Sequence, residues 1–175
     1  HRHVSWIGDK VEDLMIHLYT DADMAGDAVK NKSTSGVFGV VEGPHSRVPF
    51  AAISKRQTAV SHSTPEAEMV AGATGLRVVG LPAQVFWEHI MDKLTEARDR
   101  RISSGEQKVK YPLPLSLEYS KILVFHGDNE SMIQICKTGK NPTMRHLGRT
   151  HGISISWLNL ETSRASVWLR YIETT

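Results

Sequence analysis

Carboxylates stand where an extended apolar run ends or a helix begins at three points in this chain: YTDAD at 19–23, TPEAE at 64–68 and HGDNE at 126–130. A carboxylate at the exit of a buried strand is costly unless it meets a cation. Three in one domain therefore favour a fold that gathers them at one sheet edge around a shared metal site. That arrangement points to phosphodiester chemistry. Magnesium takes a few carboxylate oxygens together with waters and substrate phosphates, and paired ions stabilise both the attacking and the leaving oxygen of an in-line displacement.

Periodicity and punctuation supply the elements. Residues 14–19, 36–41 and 48–53 are short apolar runs suited to strands, with Gly43-Pro44 marking the turn between the last two. They predict an antiparallel meander. Helical spacing runs from 63 to about 90, with an expected break near Gly80 to Pro82. Residues 121–125 return to strand character, 131–137 and 154–160 read as helices, and 167–172 close as a strand. The expectation is an α/β domain with a mixed five-stranded sheet, β1-β2-β3 antiparallel and then α-β-α-β, with helices packed on it.

The chain's 175 residues, 40% of them hydrophobic, suffice for one core, placed at 14–175 behind a polar lead-in at 1–13 that carries His1 and His3. Residues 92–120 read as a charged, solvated insertion, its basic residues offset by Asp92, Glu96, Asp99 and Glu106. A net charge of +2 is only a mild bias toward polyanions, so a nucleic-acid surface must be local. Cys136 is the single cysteine and excludes an internal disulfide; it reads as a small buried residue. The expectation is an intracellular, non-secreted chain with no membrane partner, since no signal-peptide core and no apolar run of about 18 residues is present.

The acidic residues differ in what they can do. Asp21 and Asp128 each follow a strand, and adjacent parallel strands would bring them together; Asp23 falls beyond the strand as an outer residue. Glu66 and Glu68, two apart on a helix, point in nearly opposite directions. Ser63, Pro65 and Glu66 form a capping box, which leaves Glu68 on the face of Ala71, Gly72, Gly75 and Val79, where small side chains allow close approach to the sheet. Clustered carboxylates resist full ionisation without a cation. Asn129 is a helix N-cap or a contact to nucleic acid. Basic loops at Lys32-Ser33, Lys55-Arg56 and Lys140, Arg145 and Arg149 are candidate backbone contacts. His146 and His151 lack a third zinc ligand in sequence.

The order and wording of these segments also carry a likeness. YTDADMAGD, KSTSGVFGVVEG, SKRQTAVSHSTPEAE, GDNESMIQI and KNPTMRHLGRTHG, spanning 19–152, resemble the ribonuclease H region of copia-type retrotransposon polyproteins. The resemblance implies a ribonuclease H-like fold, with Asp21, Glu68 and Asp128 as catalytic ligands of two Mg2+ ions, for which Mn2+ substitutes. It implies hydrolysis of the RNA strand of RNA–DNA hybrids during reverse transcription, beside an upstream reverse transcriptase domain and in cytoplasmic retrotransposon particles. It also implies that Asn129 contacts the backbone or the 2′-hydroxyls of an RNA strand. Two departures stand out: Ser154 occupies a usually acidic position, and the family's fourth carboxylate, on a helix after the last strand, has no counterpart, so the domain reads as truncated before that helix. The alternatives are a module that binds hybrids without cutting and a scaffold for the polymerase.

Overall fold

The structure is a computed structural model that describes residues 4–27, 31–104 and 121–173. Its sheet is built from β1 (Met15–Asp27), β2 (Lys32–Glu42), β3 (Arg47–Arg56), β4 (Leu123–Gly127) and β5 (Val167–Tyr171) in the order β3-β2-β1-β4-β5. The first three are antiparallel neighbours; β4 runs parallel to β1, and β5 parallel to β4. This is the mixed five-stranded sheet with packed helices that the sequence predicts, three antiparallel strands followed by two parallel ones.

Strict alternation explains why the first strands outrun their apolar stretches. Ile16, Leu18, Thr20 and Ala22 are buried, while His17, Tyr19, Asp21 and Asp23 take the other face. The strand thus passes through both aspartates, and Asp23 pairs with Thr34 inside the ladder rather than lying beyond it. What ends near Asp21 is the pairing with β4, whose last partner on β1 is Tyr19.

Helix α1 (Thr64–Gly75) continues without a break through a π-helical stretch, Leu76–Gly80, into α2 (Leu81–Ser103). The wide turn closes with the Leu81 N–H donating to the Leu76 carbonyl. It lies immediately ahead of Pro82, which has no N–H and whose ring would crowd a regular turn, so the expected break becomes a change of helical pitch. Residues 92–103 of the expected insertion are the end of α2, carrying the Lys93–Glu96 pair and tied to β4's approach by Lys121 Nζ on Asp92 at 2.9 Å. The rest of that insertion, 105–120, lies outside the described residues. Taken as one helix, Thr64–Ser103 is long and apolar enough to cross a membrane by length and composition, but 56% of its apolar window is buried within the protein.

Helices α3 (Glu130–Thr138), α4 (Leu147–Thr150) and α5 (Ile155–Thr162) complete the domain. Leu18, Phe125, Met69, Leu76, Met132 and Leu158 form the centre of the core, each no more than 1% exposed. Cys136 is buried there, its sulfur 3.6 Å from that of Met132 and 3.9 Å from that of Met69, and burial pushes its thiol up to about 12. The lead-in is tied to the β2–β3 turn: the N–H groups of Gly8 and Asp9 both donate to Ser46 Oγ.

Candidate metal centre

Strand register sets two of the three carboxylates side by side. Tyr19 pairs with His126, and two residues further along each parallel strand direction stand Asp21 and Asp128. The third arrives on α1. Gly72 and Gly75 let that helix lie close to the sheet: a Cβ at Gly72 would stand 3.1 Å from Phe125 Cζ, and one at Gly75 only 2.5 Å from Thr20 Cγ2. Glu68, one turn before Gly72, is thereby carried to the strand ends, where Oε1 accepts the Ala22 N–H at 3.2 Å. One ligand atom from each of Asp21, Glu68 and Asp128 lies within 4.8 Å of the others, and among the described residues no other His, Cys, Asp and Glu side chains form such a group.

Glu68 is 3% exposed, and its Oε2 has no hydrogen-bond partner. Burial, and then the neighbouring charges of Asp128 and Asp21, push its carboxyl up to about 7, against the partly offsetting Ala22 N–H. A buried acceptor oxygen without a donor, facing two further carboxylates, is the electrostatic condition that a hard divalent cation relieves. The donor set is all oxygen and fits magnesium or manganese rather than a thiolate-seeking metal.

Glu66 faces the other way. Ser63 Oγ accepts the Glu66 N–H at 3.4 Å, as an N-cap should, but the Glu66 carboxylate takes the N–H of His62 at 3.0 Å, one residue further back than a capping box places it. Its second oxygen meets His146 Nε2 at 3.0 Å and His151 Nε2 at 3.5 Å. Glu66 thus fastens the 141–152 segment to the helix that carries Glu68. The third partner missing from the histidine pair in sequence is supplied by the fold, as a carboxylate anchor.

These opposite placements give separable effects. Glu66→Ala is expected to cost about 2 kcal/mol, the upper end of a lost cap, because it also removes the carboxylate beside buried His151. In the metal-free protein the Glu68 carboxyl titrates near about 7 rather than 4.5, so its contribution to stability is complete below about pH 4.5 and lost as pH rises through about 7. Glu68→Gln should flatten that stretch of the stability–pH curve, measured by urea denaturation, whereas Glu66→Ala should lower the curve and leave the Glu68 contribution to it in place. The reverse pattern would mean the two glutamates have been interchanged.

The basic candidates fall into two groups. Lys55 and Arg56 are exposed at the end of β3, and Lys32, at the start of β2, donates its ammonium to the Thr58 carbonyl. Lys140, Arg145 and Arg149 are exposed on the segment anchored by Glu66. Ser33 departs from its expected place among substrate contacts: it is 1% exposed, and its hydroxyl accepts the Ala25 N–H, holding the β1–β2 hairpin. Asn129 caps α3, its Oδ1 accepting the Met132 N–H at 2.9 Å.

Sequence reading passed over a polar cluster on the same sheet face as Asp21. His17 Nδ1 lies 2.9 Å from His126 Nε2, and the rings of Tyr19 and His126 stack 4.3 Å apart, with Tyr19 donating to Glu42. Burial holds both imidazoles below their usual range, His126 down to about 4, so they are neutral and can share a hydrogen bond. The two-residue spacing of His17, Tyr19 and Asp21 was the available signal.

No family model matches the chain, and no curated protein matches it. Among solved structures, it is similar to LC11-RNase H1, a ribonuclease H1 isolated from compost by a metagenomic approach, at 15% sequence identity and a TM-score of 0.43, over 91% of this chain and 84% of that one.

Proposed function

We propose that this chain is a metal-dependent endonuclease of the ribonuclease H type, hydrolysing the RNA strand of RNA–DNA hybrids. The observation that carries the reading is the convergence of Asp21, Glu68 and Asp128 around an undonated buried oxygen at the ends of the central strands. The motif order from YTDAD to KNPTMRHLGRTHG supports an origin in a copia-type polyprotein, hence an upstream reverse transcriptase as partner and an intracellular setting in the element's particles.

Asp21, Glu68 and Asp128 would hold two Mg2+ ions, or Mn2+ in their place, which supply an activated water and stabilise the departing 3′ oxygen. The chain's own part is preorganisation. The Ala22 N–H fixes one oxygen of Glu68 and leaves the other turned to the site, so the carboxylate need not reorient. Glu68 must lose its proton first, which couples metal uptake to pH near neutrality. Lys55, Arg56, Lys140, Arg145 and Arg149 would hold the hybrid by its phosphates, so that groove width and 2′-hydroxyls rather than base sequence select it.

The test is a hybrid with its RNA strand end-labelled, incubated with the full chain in millimolar magnesium and in chelator. The expected result is internal cleavage of the RNA alone, with metal alone, and no cleavage of the matched DNA duplex. A hybrid that is bound but left whole under magnesium and manganese alike would replace the enzyme with a binding module.

A further inference from the structure

On the far side of α1 from the three carboxylates lies a cavity of about 160 Å³. Its walls come from the end of β3, the outer stripe of α1 with Thr74, the first residue positions of the π-helical stretch with Arg77, and the segment that Glu66 anchors. Lys55, Arg56 and Arg77 bring three positive charges to it, Thr58 and Thr74 bring hydroxyls, and among the described residues no carboxylate lines it. The guanidinium carbon of Arg77 lies over the Trp157 ring, 4.9 Å from its centroid, a cation–π contact that holds the charge beside the cavity.

His151 supplies the second, independent sign. Its side chain is 0% exposed, yet neither ring nitrogen makes a hydrogen bond, and it lines this cavity. An imidazole removed from water needs a partner on at least one nitrogen, and the nearest carboxylate oxygen, on Glu66, stands at 3.5 Å and is already engaged with His146 at 3.0 Å. Three cations, threonine hydroxyls and an undersatisfied imidazole around a partly open cavity match a tetrahedral oxyanion in charge and hydrogen-bond capacity.

The position suits a nucleic-acid backbone. Ala22, next to Asp21, pairs with Ser35, and Ser35 pairs with Lys55, so the cavity's β3 wall lies two strand spacings, about 10 Å, from the backbone beside the carboxylates. We propose that this cavity is a phosphate subsite, which takes a phosphodiester of the bound hybrid away from the bond to be cut. The subsite rests on the hybrid-binding reading above and adds Arg77 and His151 to the residues that grip the substrate.

Hybrid affinity measured against salt concentration tests it, using the full chain, Lys55→Gln, Arg77→Gln and Arg77→Lys. Removing one cation that holds a phosphate should weaken binding several-fold at low salt and reduce the log–log salt slope by about 0.9. Lys55→Gln and Arg77→Gln should both show this, while Arg77→Lys keeps the slope. In parallel, inorganic phosphate should raise the melting temperature of the wild type and do less for the Lys55→Gln/Arg77→Gln pair. Lys55 is exposed, so its variant stays informative if loss of the Trp157 contact unfolds Arg77→Gln. Hybrid binding with unchanged affinity and slope in Lys55→Gln and Arg77→Gln overturns the subsite and leaves the metal-centre reading intact. If the wild type binds no hybrid, the hybrid reading fails, and phosphate alone decides: a thermal shift lost in the paired variant supports a free-phosphate site, and no shift overturns the cavity as an anion site.

Discussion

Asp128→Asn is expected to lower metal-dependent cleavage of an RNA–DNA hybrid by more than about 100-fold while hybrid affinity changes little. Residues that only hydrogen-bond to a metal ligand already cost about 10–100-fold when altered, and a ligand itself should exceed that. The substitution keeps the shape of the side chain and removes one of three anionic groups whose ligand atoms stand within 4.8 Å of each other. It should also take away most of the rise in melting temperature that millimolar magnesium gives the wild type, because stabilisation by a ligand scales with its affinity for the folded state. Glu68 gives an internal control: with the Asp128 charge gone, one of the neighbours that raises its carboxyl disappears, so the stability–pH curve of the metal-free variant should lose part of its fall toward pH 7. Cleavage within a few-fold of wild type would remove Asp128 from the centre.

Phe125→Ala is expected to destabilise the domain by about 3–5 kcal/mol, a large share of what a domain of this size has to lose. Phe125 is 0% exposed on β4, and its ring fills the space that the missing side chain of Gly72 leaves. The cavity would open between the strand that leads to Asp128 and the helix that carries Glu68. Magnesium binding should therefore weaken as well, although no ligand has changed. Urea denaturation with and without magnesium measures both effects; a loss below about 1 kcal/mol would mean the helix does not bear on the sheet through this ring.

What the sequence made legible was local. The Ser63 cap, the opposition of Glu66 and Glu68, and the small-residue face at Gly72 and Gly75 all follow from helical geometry within a few residues, and the structure has each of them. The juxtaposition of Asp21 with Asp128 could be anticipated from two strands each followed by a carboxylate. Strand ends were less legible, because reading apolar runs stops at the first charge, while β1 carries Asp21 and Asp23 on alternate positions within the ladder. Contacts across long separations were not legible at all. Nothing near Glu66 in sequence announces His146, 80 residues on, and nothing near His17 announces His126. Ser33 looked like a polar loop residue because its partner, the Ala25 N–H, lies across a hairpin whose pairing is not written in either flank.

The trio of sulfurs in the core makes the domain its own reporter of opening. Cys136 is the single cysteine, and with its thiol held near about 12 it scarcely ionises while buried, so an alkylating reagent reaches it as a thiolate only in molecules that have come apart at the seam between α1 and α3. The rate of labelling then counts those excursions, and its slowing as a cation is added gives the energy of cation binding at Glu68, the neighbour of Met69 on the same helix. Occupancy of the carboxylate centre becomes measurable through a thiol that never touches it, with no nucleic acid present and no bond cut.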